Sequence, residues 1–323
     1  MLRLAPDYRA ARRDFLRATE RTGVGVTSHP HPLAGLHGEE LAVDVAEVGP
    51  ADAGHVVIVV SATHGVEGYC GSALQTDLLG DLDRIDLDAT RLVVVHGLNP
   101  YGFSWVRRVN EDNVDLNRNF VDWSQALPDN AGYDELADLL VPERWNPDEQ
   151  QRTTDALIAK ALDVGPERFQ EIVSGGQYSQ PDGIFFGGDG PVWSHRWLRE
   201  WASTALAPAE RVEIIDLHTG LGPWGHGELI GSTPVDGPVH ERASAIWGDV
   251  RSMVDGGSVS AELSGDWMRI APELAPDATV TAVALEFGTV ETITVLQALR
   301  ADAWLHAHGD PTGSVGDAVR ATV

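Results

Sequence analysis

The sequence predicts one α/β domain with a mixed, mostly parallel central sheet and helices on both faces, and three observations carry that expectation. Four apolar runs bounded by glycine and polar turns have strand length: HVVIVVSAT (55–63), RLVVVHGLN (91–99), VEIIDLHTG (212–220) and TVTAVALEFG (279–288). Helix-like stretches lie between and after them at 71–82, 147–162, 194–206 and 292–308. The chain has 323 residues and is 43% hydrophobic, enough for one large, well-filled core. The segment from about 122 to 193 is richer in Pro, Gly, Asp and Gln and reads as an insertion carrying its own helices. No repeat, low-complexity tract or linker interrupts residues 1–323, so a single domain is expected.

Composition narrows the function classes. A formal charge of −26 argues against nucleic acid or an anionic membrane as partner, since both need a cationic face. No window approaches the run of about 18 apolar residues that spans a bilayer. The first residues lack the apolar core of a signal peptide, so a cytoplasmic location is expected. Cys70 is the single cysteine, which excludes an internal disulfide and a thiolate metal cluster. Any metal must therefore sit on nitrogen and oxygen.

In open α/β sheets ligands gather outside the carboxyl ends of the strands, so the strand exits are where chemistry belongs. The first run leads into His64-Gly65-Val66-Glu67, whose imidazole and carboxylate can reach one cation. Gly65 and Gly68 flank the pair and permit close backbone approach to a ligand. The same spacing recurs in His37-Gly38-Glu39-Glu40, where a polar setting gives it no such role. His218 ends the third run, with Asp216 two residues back on the same side of the strand and able to act behind it. A lone strand-end histidine is more often structural, yet catalytic zinc sites take three protein ligands, and two His with one Glu is such a set. Glu286, inside the apolar run AVALEFGT, is expensive to bury without return; a catalytic base and a buried salt bridge explain it equally well. Asp115-Leu116-Asn117-Arg118-Asn119-Phe120, with Arg107 and Arg108 upstream, gathers donors suited to a carboxylate, although arginines in an acidic chain usually make surface ion pairs.

Taken in order, His64-x-x-Glu67, Asn99-Pro-x-Gly102, the Asp115 to Phe120 run, Asp216-Leu-His218-Thr and the late Glu286 resemble the zinc carboxypeptidase A-like superfamily, with its phosphorylase/hydrolase-like fold. The resemblance is closest to a bacterial branch labelled only as a domain of unknown function, and extends to the aspartoacylase and succinylglutamate desuccinylase branch. It implies one Zn2+ per chain on His64, Glu67 and His218, with Glu286 as general base. It also implies Asn117 and Arg118 on a substrate carboxylate, and an electrophilic arginine that is Arg107 or Arg108, with Arg108 favoured. The substrate it implies is a small peptide or N-acyl amino acid bearing a free carboxylate.

This sequence also departs from the family pattern. About 100 residues separate Asn117 from His218, so the insertion is expected to reshape the substrate mouth. The family's tyrosine has no clear counterpart; Tyr178, in a glycine-rich turn, is a candidate pocket wall and equally a plain loop residue. His226 is a second candidate lining residue. The main reading is a carboxypeptidase-like metallohydrolase, with an N-acyl amino acid deacylase of aspartoacylase type as the alternative. A remote third is dinucleotide binding, because Gly220-Leu221-Gly222-Pro223-Trp224-Gly225 has the G-x-G-x-x-G pattern. That fingerprint requires a helix next, whereas HGELIGS reads as a strand.

Overall fold

The β-branched runs become the centre of an eight-stranded sheet in the computed structural model, which describes residues 3–260 and 262–323. Its strands are β1 (Gly25–Ala34), β2 (Glu40–Val48), β3 (His55–Ser61), β4 (Thr90–His96), β5 (Arg211–Gly220), β6 (Gly227–Gly231), β7 (Val250–Ser252) and β8 (Thr279–Gly288). They lie in the order β1-β2-β4-β3-β5-β8-β6-β7. The four apolar runs form the parallel middle, β4-β3-β5-β8, and antiparallel pairings join β2, β1 and β6 to it. β6 occupies the stretch after Gly225, where a dinucleotide fingerprint needs a helix, so that reading fails.

Alternation along each central strand feeds two cores. Val56, Ile58, Val60, Val93, Val95, Val212 and Ile214 pack with Trp197, Leu198 and Ala202 of the helix Trp193–Ala205. Val59, Val94, Leu92 and Leu217 point the other way, against Phe15 and Ala18 of the helix Tyr8–Thr22 and Leu79 of the helix Gly68–Gly80. Each such side chain taken from water contributes about 1.5–3 kcal/mol, so both faces are energetically committed. The N-terminal helix is bounded locally, by Asp7 accepting from Ala10 N at one end and left-handed Gly23 at the other.

The region 122–193 carries four helices, among them Pro147–Val164 and Pro166–Ser174. They enclose their own core of Tyr133, Leu140, Leu157, Ile172 and Val173, which continues onto Leu296, Leu299 and Ala303 of the helix Thr292–His308. Among the described residues no helix is long and apolar enough to cross a membrane.

Candidate metal centre

Three strand exits converge at the carboxyl edge of the parallel sheet. β3 leaves through Ala62, held at φ 58°, and Thr63, then turns at His64 into the single helical turn Gly65–Glu67. A positive φ on alanine is strained and is sustained here by the packing around it. Gly65 is required for a different reason from the one its sequence suggests. A Cβ there would meet the Gly102 carbonyl carbon at 2.0 Å and the Phe103 nitrogen at 2.2 Å, so the glycine admits neighbouring backbone rather than a ligand. Asn99 caps that neighbouring helix, Pro100–Trp105, by accepting from Gly102 N, which makes Asn99-Pro-x-Gly102 a scaffold for the loop. The loop is fixed further by Gly65 N and Val66 N donating to the carbonyls of Arg108 and Arg107.

Next door, β5 ends at His218, and β8 places Glu286 directly opposite it in register. One potential ligand atom from each of His64, Glu67 and His218 lies within 4.8 Å of the others, and all three residues are buried. His64 Nδ1 is 2.8 Å from Glu67 Oε1, and His218 Nδ1 is 3.0 Å from Glu67 Oε2. Both outer nitrogens face carboxylates: His64 Nε2 meets Asp115 Oδ1 at 3.2 Å and His218 Nε2 meets Asp216 Oδ2 at 2.7 Å. Asp216 in turn accepts from the Thr63 hydroxyl and from Trp267 Nε1, while Asp115 accepts from Arg108 Nε at 2.8 Å. A metal-ligating imidazole characteristically hands its second N–H to a carboxylate, which fixes the ring and leaves the inner nitrogen free. Two nitrogens and a carboxylate oxygen presented in this way could hold a divalent metal ion.

The electrostatics follow from burial among opposite charges. Burial alone would raise the Glu67 carboxyl, but His64 and His218 hold it below the usual range. Burial would lower His218, and Asp216 and Glu67 raise it instead, well above an ordinary histidine. Burial and then the Glu67 carboxylate push Glu286 up to about 7, against the pull of His218. Its Oε1 accepts from Leu221 N at 2.9 Å, so the group is oriented as well as desolvated.

The arginines divide. Arg108 reaches Glu67 Oε1 at 3.4 Å and lines the cavity in front of the centre. Arg107 turns away, its Nε on Asp302 at 2.9 Å and another N–H on Asn113, and it does not line the cavity. Arg118 and Asn117 both line it. Three Arg118 donors are already committed, to the Ser174 carbonyl from Nε and one terminal nitrogen and to the Asn117 carbonyl from the other. Asn117 Oδ1 is buried with no hydrogen-bond partner among the described residues. Tyr178 is not a pocket wall: its hydroxyl donates to the Arg118 carbonyl at 2.6 Å. His226 is exposed and lies outside the cavity lining, and His37 sits in the exposed turn between β1 and β2. Sequence reasoning missed Trp267, which carries no local signal, and the bracing role of Asp115, which heads its own motif.

A family model described as "Protein of unknown function (DUF2817)" matches residues 4–322. The chain belongs to the DUF2817 family. A search of curated proteins finds no match for this DUF2817 member. Among solved structures, bovine thrombin-activatable fibrinolysis inhibitor, in complex with tick carboxypeptidase inhibitor, is 10% identical with a TM-score of 0.50, covering 99% of each chain. Another structure of thrombin-activatable fibrinolysis inhibitor matches at 10% identity and a TM-score of 0.52, over 98% of this chain and 73% of its own. The succinylglutamate desuccinylase from Chromobacterium violaceum is 15% identical with a TM-score of 0.43, over 96% of this chain and 76% of its own. The DUF2817 chain therefore has the carboxypeptidase-like fold that its motif order implied.

Proposed function

We propose that the protein is a zinc-dependent hydrolase that cleaves an amide bond close to a free carboxylate. The observation that carries this reading is the inward convergence of His64 Nδ1, His218 Nδ1 and the Glu67 carboxylate, with both outer imidazole nitrogens braced by Asp115 and Asp216. A zinc ion in this ligand set supplies Lewis acidity, drawing electron density from a carbonyl and making water a stronger acid near neutral pH. Glu286, desolvated and facing the three ligands, takes the proton of the attacking water and returns it to the leaving nitrogen. Arg108 donates to the oxyanion that develops on the carbonyl, its own charge secured by Asp115. Asn117, through its side-chain amide N–H2, and the two remaining N–H groups of Arg118 receive the substrate carboxylate, both residues lining the cavity.

Metal content tests the reading directly. Protein purified without chelators is expected to carry one zinc per chain, and the double substitution His64→Ala, His218→Ala is expected to abolish it. Stoichiometric zinc in the double variant would refute the assignment.

A further inference from the structure

We propose that the acyl side of the scissile amide is a long aliphatic chain, seated in the cavity that opens from the metal centre. The proposal rests on the hydrolase reading above and names its substrate class as N-acyl amino acids with long apolar acyl groups. The cavity measures about 940 Å³, near the top of the range for small-molecule sites and far more than one amino-acid side chain fills.

Its polarity is divided between two ends. Among the described residues, every acidic, basic or imidazole side chain lining it belongs to the metal centre and its arginines, except Asp266. Asp266 lies beside Trp267, tied to Ser232 and to Met268 N. Away from that end the walls are mainly apolar, with Gln170 and the hydroxyls of Thr292 and Thr294 interspersed among them. Phe169 and Val173 come from the helix Pro166–Ser174 of the insertion, and Ile293, Leu296 and Leu299 from the helix Thr292–His308. At the mouth Trp224 is 81% exposed, Val290 46% and Ile293 48%, a concentration of bare apolar surface that marks a binding site.

The walls discriminate between occupants. An extended peptide would bring a regular series of N–H and C=O groups against walls with few polar side chains, where Phe169, Val173 and Leu296 can pair none of them, and unpaired burial of such groups is unfavourable. An aliphatic chain has no polar group to lose and gains from leaving water. The amide and the carboxylate of such a molecule meet the polar end, and its chain meets the rest. Water adds to the amide carbonyl, the C–N bond breaks, and a fatty carboxylate leaves with a free amino acid whose nitrogen takes the proton given up by water.

The test is a homologous series of N-acetyl-, N-octanoyl- and N-dodecanoylglycine offered to the zinc-loaded enzyme. The expected result is a rise in kcat/KM of about fourfold per methylene, the ratio set by burying one CH2, until the cavity is filled. Ile293→Glu places a charge in the wall at a half-exposed position where folding survives, and is expected to flatten that rise. Turnover that does not depend on chain length overturns the chain assignment while leaving the hydrolase reading intact. Absence of turnover for every member counts against the hydrolase reading instead. Calorimetric titration of the Glu286→Gln variant with the same three compounds then decides the cavity by itself. Affinity that climbs with length supports the assignment, and affinity indifferent to length overturns it.

Discussion

Glu67 and Glu286 stand close enough to raise each other's cost of ionisation, yet their surroundings push them in opposite directions. Glu67 accepts from Thr219 N and touches both imidazoles, so it is held as the anion a cation needs. Burial first and the repulsion of Glu67 second raise Glu286 against its one backbone donor, which leaves it near the midpoint where a group can both take and give a proton. Glu286→Gln keeps the shape and the Leu221 N–H partner but removes the proton site. It is expected to retain fold and zinc while losing roughly 10²–10⁴-fold in turnover on an N-acyl amino acid. Near-normal turnover in that variant would remove Glu286 from the chemistry. His64, His218 and Glu286 were legible because each follows, ends or interrupts an apolar run, where a polar side chain is out of place, and Glu67 through its spacing from His64. Arg107 was not legible, because the acid that claims it, Asp302, lies 195 residues further along the chain. Tyr178 stayed open between pocket wall and loop residue for a similar reason, since nothing near it shows that the Arg118 carbonyl takes its hydroxyl.

Elements were readable in proportion to how fully they are buried. β3, β4, β5 and β8 fall within two or three residues of the runs that predicted them, because strands covered on both faces admit little but Val, Ile, Leu and Ala. β1 was missed: GVTSHPHPLA holds two prolines, lies mostly exposed at the sheet edge and shifts register between Pro30 and Ala34. The helix Thr292–His308 shows what sequence could not reveal about the region 122–193, namely what holds it. Arg300 is fully buried, and its guanidinium donates to the carbonyls of Leu139 and Leu140, to Thr153 and to Gln297, facing Trp145. This one side chain closes polar groups that the two packed elements would otherwise leave orphaned. Arg300→Met keeps the apolar stem but strands those carbonyls, and is expected to cost on the order of 3 kcal/mol in urea unfolding. A midpoint within experimental error of the native protein would show that the region 122–193 is held by its apolar core alone.

For the whole molecule, acidity acts through two opposed effects. A formal charge of −26 means that falling pH relieves self-repulsion once carboxylates begin to titrate, which lies below the range where histidines change state. Before that, the buried neutral histidines act. Burial chiefly holds His96 at about 4, His195 at about 4 and His306 at about 3. His96 is the cleanest case: it is fully buried, stacks on Phe15 at 4.3 Å between ring centroids, and its Nε2 lies 2.9 Å from the Ser72 hydroxyl. Its folded value of about 4 lies below the ordinary 6.5, so between those two pH values the unfolded chain takes up a proton that the folded chain refuses. Stability is therefore complete above pH 6.5 and falls as pH drops toward 4, with about 2 kcal/mol lost between pH 7 and pH 5 from this residue. His96→Gln removes the titration while keeping a hydrogen-bonding side chain, so it isolates this contribution from the charge of the rest of the molecule. Urea unfolding at pH 7 and pH 5 is expected to show a smaller pH-dependent loss for the variant than for the native protein, by about 2 kcal/mol. Equal losses in the two proteins would mean that His96 protonates freely within the fold, and that its packing against Phe15 does not exclude the charge.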